Sequence, residues 1–196
     1  MSDAATPGAP VDPEPAARTP FDEHYERYRA TPDPWQELAK LEYGADRSYA
    51  TTVAGLINNA EPAQRAGMEK KLLAVLIRSD CTAAARAFVC QMLARIGTAA
   101  CVPALAALLR DAATADDARF ALETLPDPAV DAALRDALSS LAGPAKAGLI
   151  GSIAIRNDKA ALPALQSIAQ DAAEPALVRE TAARAVARLN RPAATS

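Results

Sequence analysis

Histidine is all but missing from this chain: His24 is the only one in 196 residues. It stands in Phe21-Asp22-Glu23-His24-Tyr25-Glu26, where helical neighbours at i, i+1 and i+2 do not converge on one point. That excludes chemistry built on paired histidines. It leaves a Ser-His-Asp or Cys-His site with one candidate base and no nucleophile placed near it. Cysteine is scarce too. Cys81, Cys90 and Cys101 are spaced by nine and eleven residues, which matches no zinc pattern, and each lies in or beside an apolar helical stretch as a small hydrophobe would. There is no basic excess: 21 Lys and Arg against 24 Asp and Glu leave a net charge of −3, which argues against a nucleic-acid partner. No apolar run reaches the ~18 residues of a membrane span. Met1-Ser2-Asp3-Ala4 lacks the basic and apolar regions of a secretory signal, so the expected location is the cytoplasm. No GxGxxG or Walker sequence occurs, and Gly143-Pro144-Ala145-Lys146 reads as a turn into a helix. Neither a metal nor a cofactor is expected.

What the chain has instead is alanine. Hydrophobic residues make up 51% of it but aromatics only 4%, so little area is buried per residue. Alanine gives helix propensity and close helix approach, which suits stacked helices that touch over many small contacts. Prolines Pro34, Pro62, Pro103, Pro128, Pro144, Pro163 and Pro175 each stand at or just inside the start of an apolar-periodic stretch. The first turn tolerates proline because its N–H has no intrahelical partner. The spacing predicts helices at 34–43, 46–60, 62–78, 82–96, 99–110, 115–125, 129–141, 144–156, 159–170 and 175–189, with a short one around 21–30 before them. Linkers this short force consecutive helices antiparallel. No alternating strand pattern appears.

The helices repeat. Ala104-Leu105, Ala133-Leu134 and Ala164-Leu165 open similar stretches, with the leucines 29 and 31 residues apart. The second helices match as well: Phe88, Val89, Leu93 and Ile96; Ala118, Leu122 and Leu125; Ala182, Val186 and Leu189 put apolar groups on one face. Such a pair cannot bury its face alone, whereas stacked pairs share a continuous core. Val102-Pro103-Ala104-Leu105-Ala106-Ala107-Leu108-Leu109 resembles the opening of a HEAT-like repeat of the phycobilisome-lyase type. Asp117-Ala118-Arg119-Phe120-Ala121-Leu122 resembles its second helix, as does the stretch Val178, Arg179, Ala182, Ala183 and Val186. The run from Phe88 to Leu165 is also similar to bacterial repeat proteins of unassigned function.

This resemblance, over residues 62–189, implies an all-α, armadillo-like right-handed solenoid (an α-α superhelix) of about five antiparallel helix pairs. The expected organisation is a disordered Pro/Ala-rich tail at 1–20, an N-terminal helical capping region at 21–60, a repeat array at 61–190 and a C-terminal tail at 191–196. The expected function is non-enzymatic: protein–protein interaction or scaffolding on the concave face, by a chain monomeric on its own. The resemblance also implies a lyase or chaperone acting on a bound chromophore or client, but no polar cluster poised over a tetrapyrrole is found. A HEAT-like DNA glycosylase would need a basic groove and an aromatic clamp, which the charge balance and aromatic-poor repeats oppose. HEAT-like di-iron hydroxylases rely on several His-Glu pairs, which a single histidine rules out.

The candidate partner-binding residues are Arg86, Gln91, Arg95, Arg119, Phe120, Glu123, Arg179, Arg188, Trp35 and Tyr43. Arg86 and Arg179 each sit ten residues before the last apolar residue of their helix, and Arg95 and Arg188 one residue before it. Arg119 and Glu123 are spaced as an i, i+4 pair. These arginines either knit adjacent repeats or line a groove for an acidic partner surface. Six of the eight aromatics (Phe21, Tyr25, Tyr28, Trp35, Tyr43 and Tyr49) lie in 21–49, where they either cap the first repeat or offer a docking surface. Asp116-Asp117 is expected to cap a helix N-terminus.

Overall fold

The computed structural model describes residues 32–191. The helices below belong to the unit that begins at Pro34. Expectations for the tail at 1–20, the helix near 21–30 and residues Phe21, His24, Tyr25 and Tyr28 fall outside the described residues.

The described residues are all-helical, without a strand. The helices are α1 (Pro34–Glu37), α2 (Ser48–Asn58), α3 (Pro62–Leu76), α4 (Ala83–Ile96), α5 (Val102–Leu108), α6 (Ala115–Thr124), α7 (Pro128–Ala137), α8 (Gly143–Ile155), α9 (Leu162–Gln170) and α10 (Ala176–Leu189). Proline opens α1, α3 and α7, is second in α5, α8 and α9, and immediately precedes α10. Side-chain oxygens take up free first-turn N–H groups: Thr82 accepts from Ala85 at 3.0 Å, Asp127 from Ala129 at 2.8 Å and Asp158 from Ala160 at 3.1 Å.

Several expected helices are shorter or divided, and 159–170 begins with a 3-10 turn at Lys159–Ala161. The first is α-helical only to Glu37, tightens into a 3-10 turn at Leu38–Lys40 and ends where Leu41 turns extended. The second starts at Ser48 because Asp46 accepts from the Ser48 N–H and hydroxyl, holding the chain in a turn. The stretch 99–110 divides into a 3-10 turn, Ala99–Cys101, and α5.

Consecutive helices pack in pairs: α3 on α4, α5 on α6, α7 on α8 and α9 on α10. The second members also touch in series, α4 on α6, α6 on α8 and α8 on α10, while α5 packs on α7. Each helix thus makes its main contacts with adjacent or next-but-one helices in sequence. One continuous apolar cluster runs through them, with a leucine or isoleucine fully buried in most helices (Leu72, Leu93, Leu105, Leu122, Leu134, Leu149, Leu165 and Leu189 among them). Each is worth about 1.5–3 kcal/mol of burial. Between them, Ala118, Ala121 and Ala182 are wholly enclosed and let neighbouring backbones approach closely.

Polar side chains tie successive pairs together. Arg156 donates from Nη1 to the carbonyls of Leu122, Glu123 and Leu125 at 3.3, 3.2 and 2.6 Å and from Nη2 to that of Asp127 at 3.1 Å. Its Nε meets Asp131 at 2.5 Å. One guanidinium therefore satisfies the open carbonyl end of α6. Arg135 pairs with the buried Asp158 at 2.5 Å, Lys146 pairs with Glu174, and the buried Glu69 accepts from the Thr98 N–H at 2.8 Å. Asn157, at φ 59°, takes the left-handed conformation that stops α8.

Candidate functional site

The exposed side of the α4–α6–α8–α10 layer gathers most of the candidate residues. Gln91 and Arg95 are exposed on α4, and no carboxylate among the described residues pairs with Arg95. On α6, Asp116 and Phe120 share the outward stripe, and Phe120 is 53% exposed. Core-facing Ala118, Ala121 and Leu122 occupy the opposite side, so the helical period alone pushes Phe120 into solvent. On α8 the corresponding stripe carries Gly148, Gly151 and the half-exposed Ile155. A cleft of about 240 Å³ lies between α8 and α10, floored by Gly151, Ala154 and Ala185, walled by Ile155 and rimmed by Thr181, Arg184 and Arg188.

Arg119 and Glu123 do not form the expected i, i+4 ion pair. Arg119 Nε turns back to Asp116 Oδ1 at 2.7 Å, and its Nη1 lies 3.4 Å from Ser152 Oγ on α8. Ser152, fully buried, donates to Glu123 at 2.7 Å. A hydroxyl on the next helix stands where a direct contact was expected, and helical spacing carries no information about it. The guanidinium rests on Gly148, where a Cβ would sit 2.8 Å from Arg119 Nε. Asp116 is thereby committed to Arg119 rather than capping α6, whose N-cap residue Thr114 makes no side-chain cap bond either. Asp117 instead looks toward α4. Burial pushes its carboxyl up, against the pull of Arg86.

The other arginines separate. Arg86 is half-buried in the α4–α6 seam, with Nη2 3.4 Å from the Cys81 carbonyl. Arg188 donates from Nε to the Ala154 carbonyl at 3.0 Å and extends into the cleft rim. Arg179 points to the opposite flank of α10, beside Ala169, Ala176, Glu180 and Ala183. Trp35 is buried with Lys71 5.1 Å over its ring, so it works inside the fold. Tyr43 is 71% exposed but lies between α1 and α2, apart from the layer.

The three cysteines are reduced and buried. Burial pushes the thiols of Cys90 and Cys101 up to about 12, helped at Cys101 by Glu69, so neither supplies a thiolate near neutrality. Among the described residues, no group of His, Cys, Asp and Glu is placed to hold a metal, and no helix is long and apolar enough to cross a membrane.

Sequence reasoning passed over Gly148, Gly151, Ile155 and Arg184. The signal was present: a stripe at i, i+3 and i+7 whose first two members lack side chains. Comparison with protein families, curated proteins and solved structures finds no match for this chain.

Proposed function

We propose that the helix pairs form a right-handed, HEAT-like α-solenoid and that the chain is a non-enzymatic docking scaffold for another protein. Contacts confined to near neighbours in sequence, and leucines that recur at one register, support the solenoid reading. The observation that carries the docking reading is Phe120. A phenylalanine 53% exposed on one helix, beside a glycine-lined stripe and an exposed Ile155 on the next, is the composition of a binding hot spot with a polar rim. The cleft of about 240 Å³ takes one or two side chains. Small-molecule sites run to roughly 300–1,000 Å³, so a polypeptide suits it better than a chromophore. Arg95, Arg184 and Arg188 around the apolar strip favour a partner with carboxylates flanking an apolar anchor.

The test uses affinity capture from native lysate, followed by titration of the purified captured protein. Phe120→Asp is expected to weaken binding about a hundredfold, the scale of a hot-spot loss, with helical circular dichroism unchanged. Arg95→Glu with Arg188→Glu is expected to weaken it about tenfold and to flatten its salt dependence. A captured protein that binds all forms alike removes this face from the function.

A further inference from the structure

The inner helices share a feature that the docking face does not use. The fourth residue is a cation in three of them: Arg86 in α4, Lys146 in α8 and Arg179 in α10. One of these reaches forward to a carboxylate of the next helix pair: Lys146 pairs with Glu174 in the loop before α10, both side chains being largely buried, while Arg86 donates from Nη2 to the Cys81 carbonyl at 3.4 Å. Arg179 holds the same station, but no helix follows α10 among the described residues. Its Nε is sealed from solvent without a hydrogen-bond partner. A buried guanidinium N–H left unpaired is costly, and both of its counterparts have an acceptor, Lys146 a carboxylate and Arg86 a backbone carbonyl.

The rest of the Arg179 side chain borders a surface depression. A depression of about 190 Å³ is lined by Ala169 on α9 and by Ala176, Arg179, Glu180 and Ala183 on α10. Glu180 is held only loosely, 3.8 Å from Arg184, with both side chains about two-thirds exposed. The α10 residues are symmetric about the midpoint between 179 and 180. A two-fold axis through that point, laying a second α10 antiparallel on the first, sets Arg179 against Glu180 of the second copy and Ala176 against its Ala183. The alanines let two helices approach closely, and the two new ion pairs are identical, as an isologous contact requires. We propose that this flank of α10 is a self-association surface whose occupant is a second copy of the chain, bound through reciprocal Arg179–Glu180 pairs. This replaces the monomer expected from the sequence and is independent of the docking face.

Sedimentation velocity on the full chain over a wide concentration range is the test. The wild-type chain is expected to show a concentration-dependent dimer. Arg179→Glu and Glu180→Arg should each weaken association roughly tenfold or more, and the chain carrying both changes should regain it, because the pairs are restored with their signs exchanged. Oxidative cross-linking gives the register: Ala176→Cys and Ala183→Cys chains should yield little disulfide-linked dimer separately and abundant dimer when mixed. A wild-type chain monomeric at every concentration, single reversals that leave the dimer intact, or a doubly exchanged chain that stays monomeric would each overturn the proposal.

Discussion

The seam between α6 and α8 and the outer flank of α10 are built from the same parts to different effect. At the seam, Arg156 spreads over four carbonyls and Asp131, and Ser152 and Gly148 accommodate Glu123 and Arg119. On the flank of α10, Arg179 in the first turn leaves a buried Nε unsatisfied beside alanines. An arginine stabilises such a layer when a neighbouring helix brings an acceptor; among the described residues none meets the Arg179 Nε.

The contrast is broken or sharpened most strongly at Arg156. Arg156→Ala removes the cap of α6 and strands the carboxylate of Asp131, and should lower unfolding free energy by about 3 kcal/mol in urea titration. Arg156→Lys should recover only part of this, since an ammonium cannot span the same fan of carbonyls. A loss below about 0.5 kcal/mol, the scale of a surface substitution, would erase the distinction between seam and flank.

Next in size is an alkaline effect in the packed half around α4. The folded thiols of Cys90 and Cys101 lie at about 12, above the ordinary 9.0, so folding favours the protonated form. Their contribution is complete below pH 9 and is lost as pH rises from about 9 toward 12. Urea midpoints measured across that window should fall, and should fall less steeply in Cys90→Ala. Equal slopes in the two chains would mean the thiol is not the group responsible.

Gly148→Ala comes third. The added methyl meets the movable end of Arg119 rather than backbone, so about 1 kcal/mol is expected. That cost should shrink when Arg119 is also changed to alanine, a coupling that a double-mutant cycle reads directly. The smallest effect belongs to Arg179→Ala at concentrations where the chain is monomeric. Its Nε has no hydrogen bond to lose, and removing an unpaired buried N–H relieves a cost, so stability should hold or rise slightly. A loss comparable to that at Arg156 would show the flank to be as closed as the seam.

These differences also mark what the sequence could say. Helix starts were legible because proline and the apolar period are local, and seven of the ten described helices begin at or beside Pro34, Pro62, Pro128 and their counterparts. The pairing of side chains was not. Arg156 reads in sequence only as the last residue of the helix 144–156, yet its partners lie 25 to 34 residues earlier. Arg119 and Glu123 looked like mutual partners until Ser152, on the adjacent helix, entered between them. Of the candidate site, Phe120 and Arg188 were readable as residues on an apolar-periodic helix. Gly148 and Gly151 stand at helical spacing with Ile155 and were legible too, but a position without a side chain carries little weight in a hydrophobic pattern.

Because each helix leans chiefly on the two or three nearest to it in sequence, the described unit resists force in series rather than in parallel. Tension applied at residues 34 and 191 would be carried one hairpin at a time, with the weakest junction yielding first and the others staying intact.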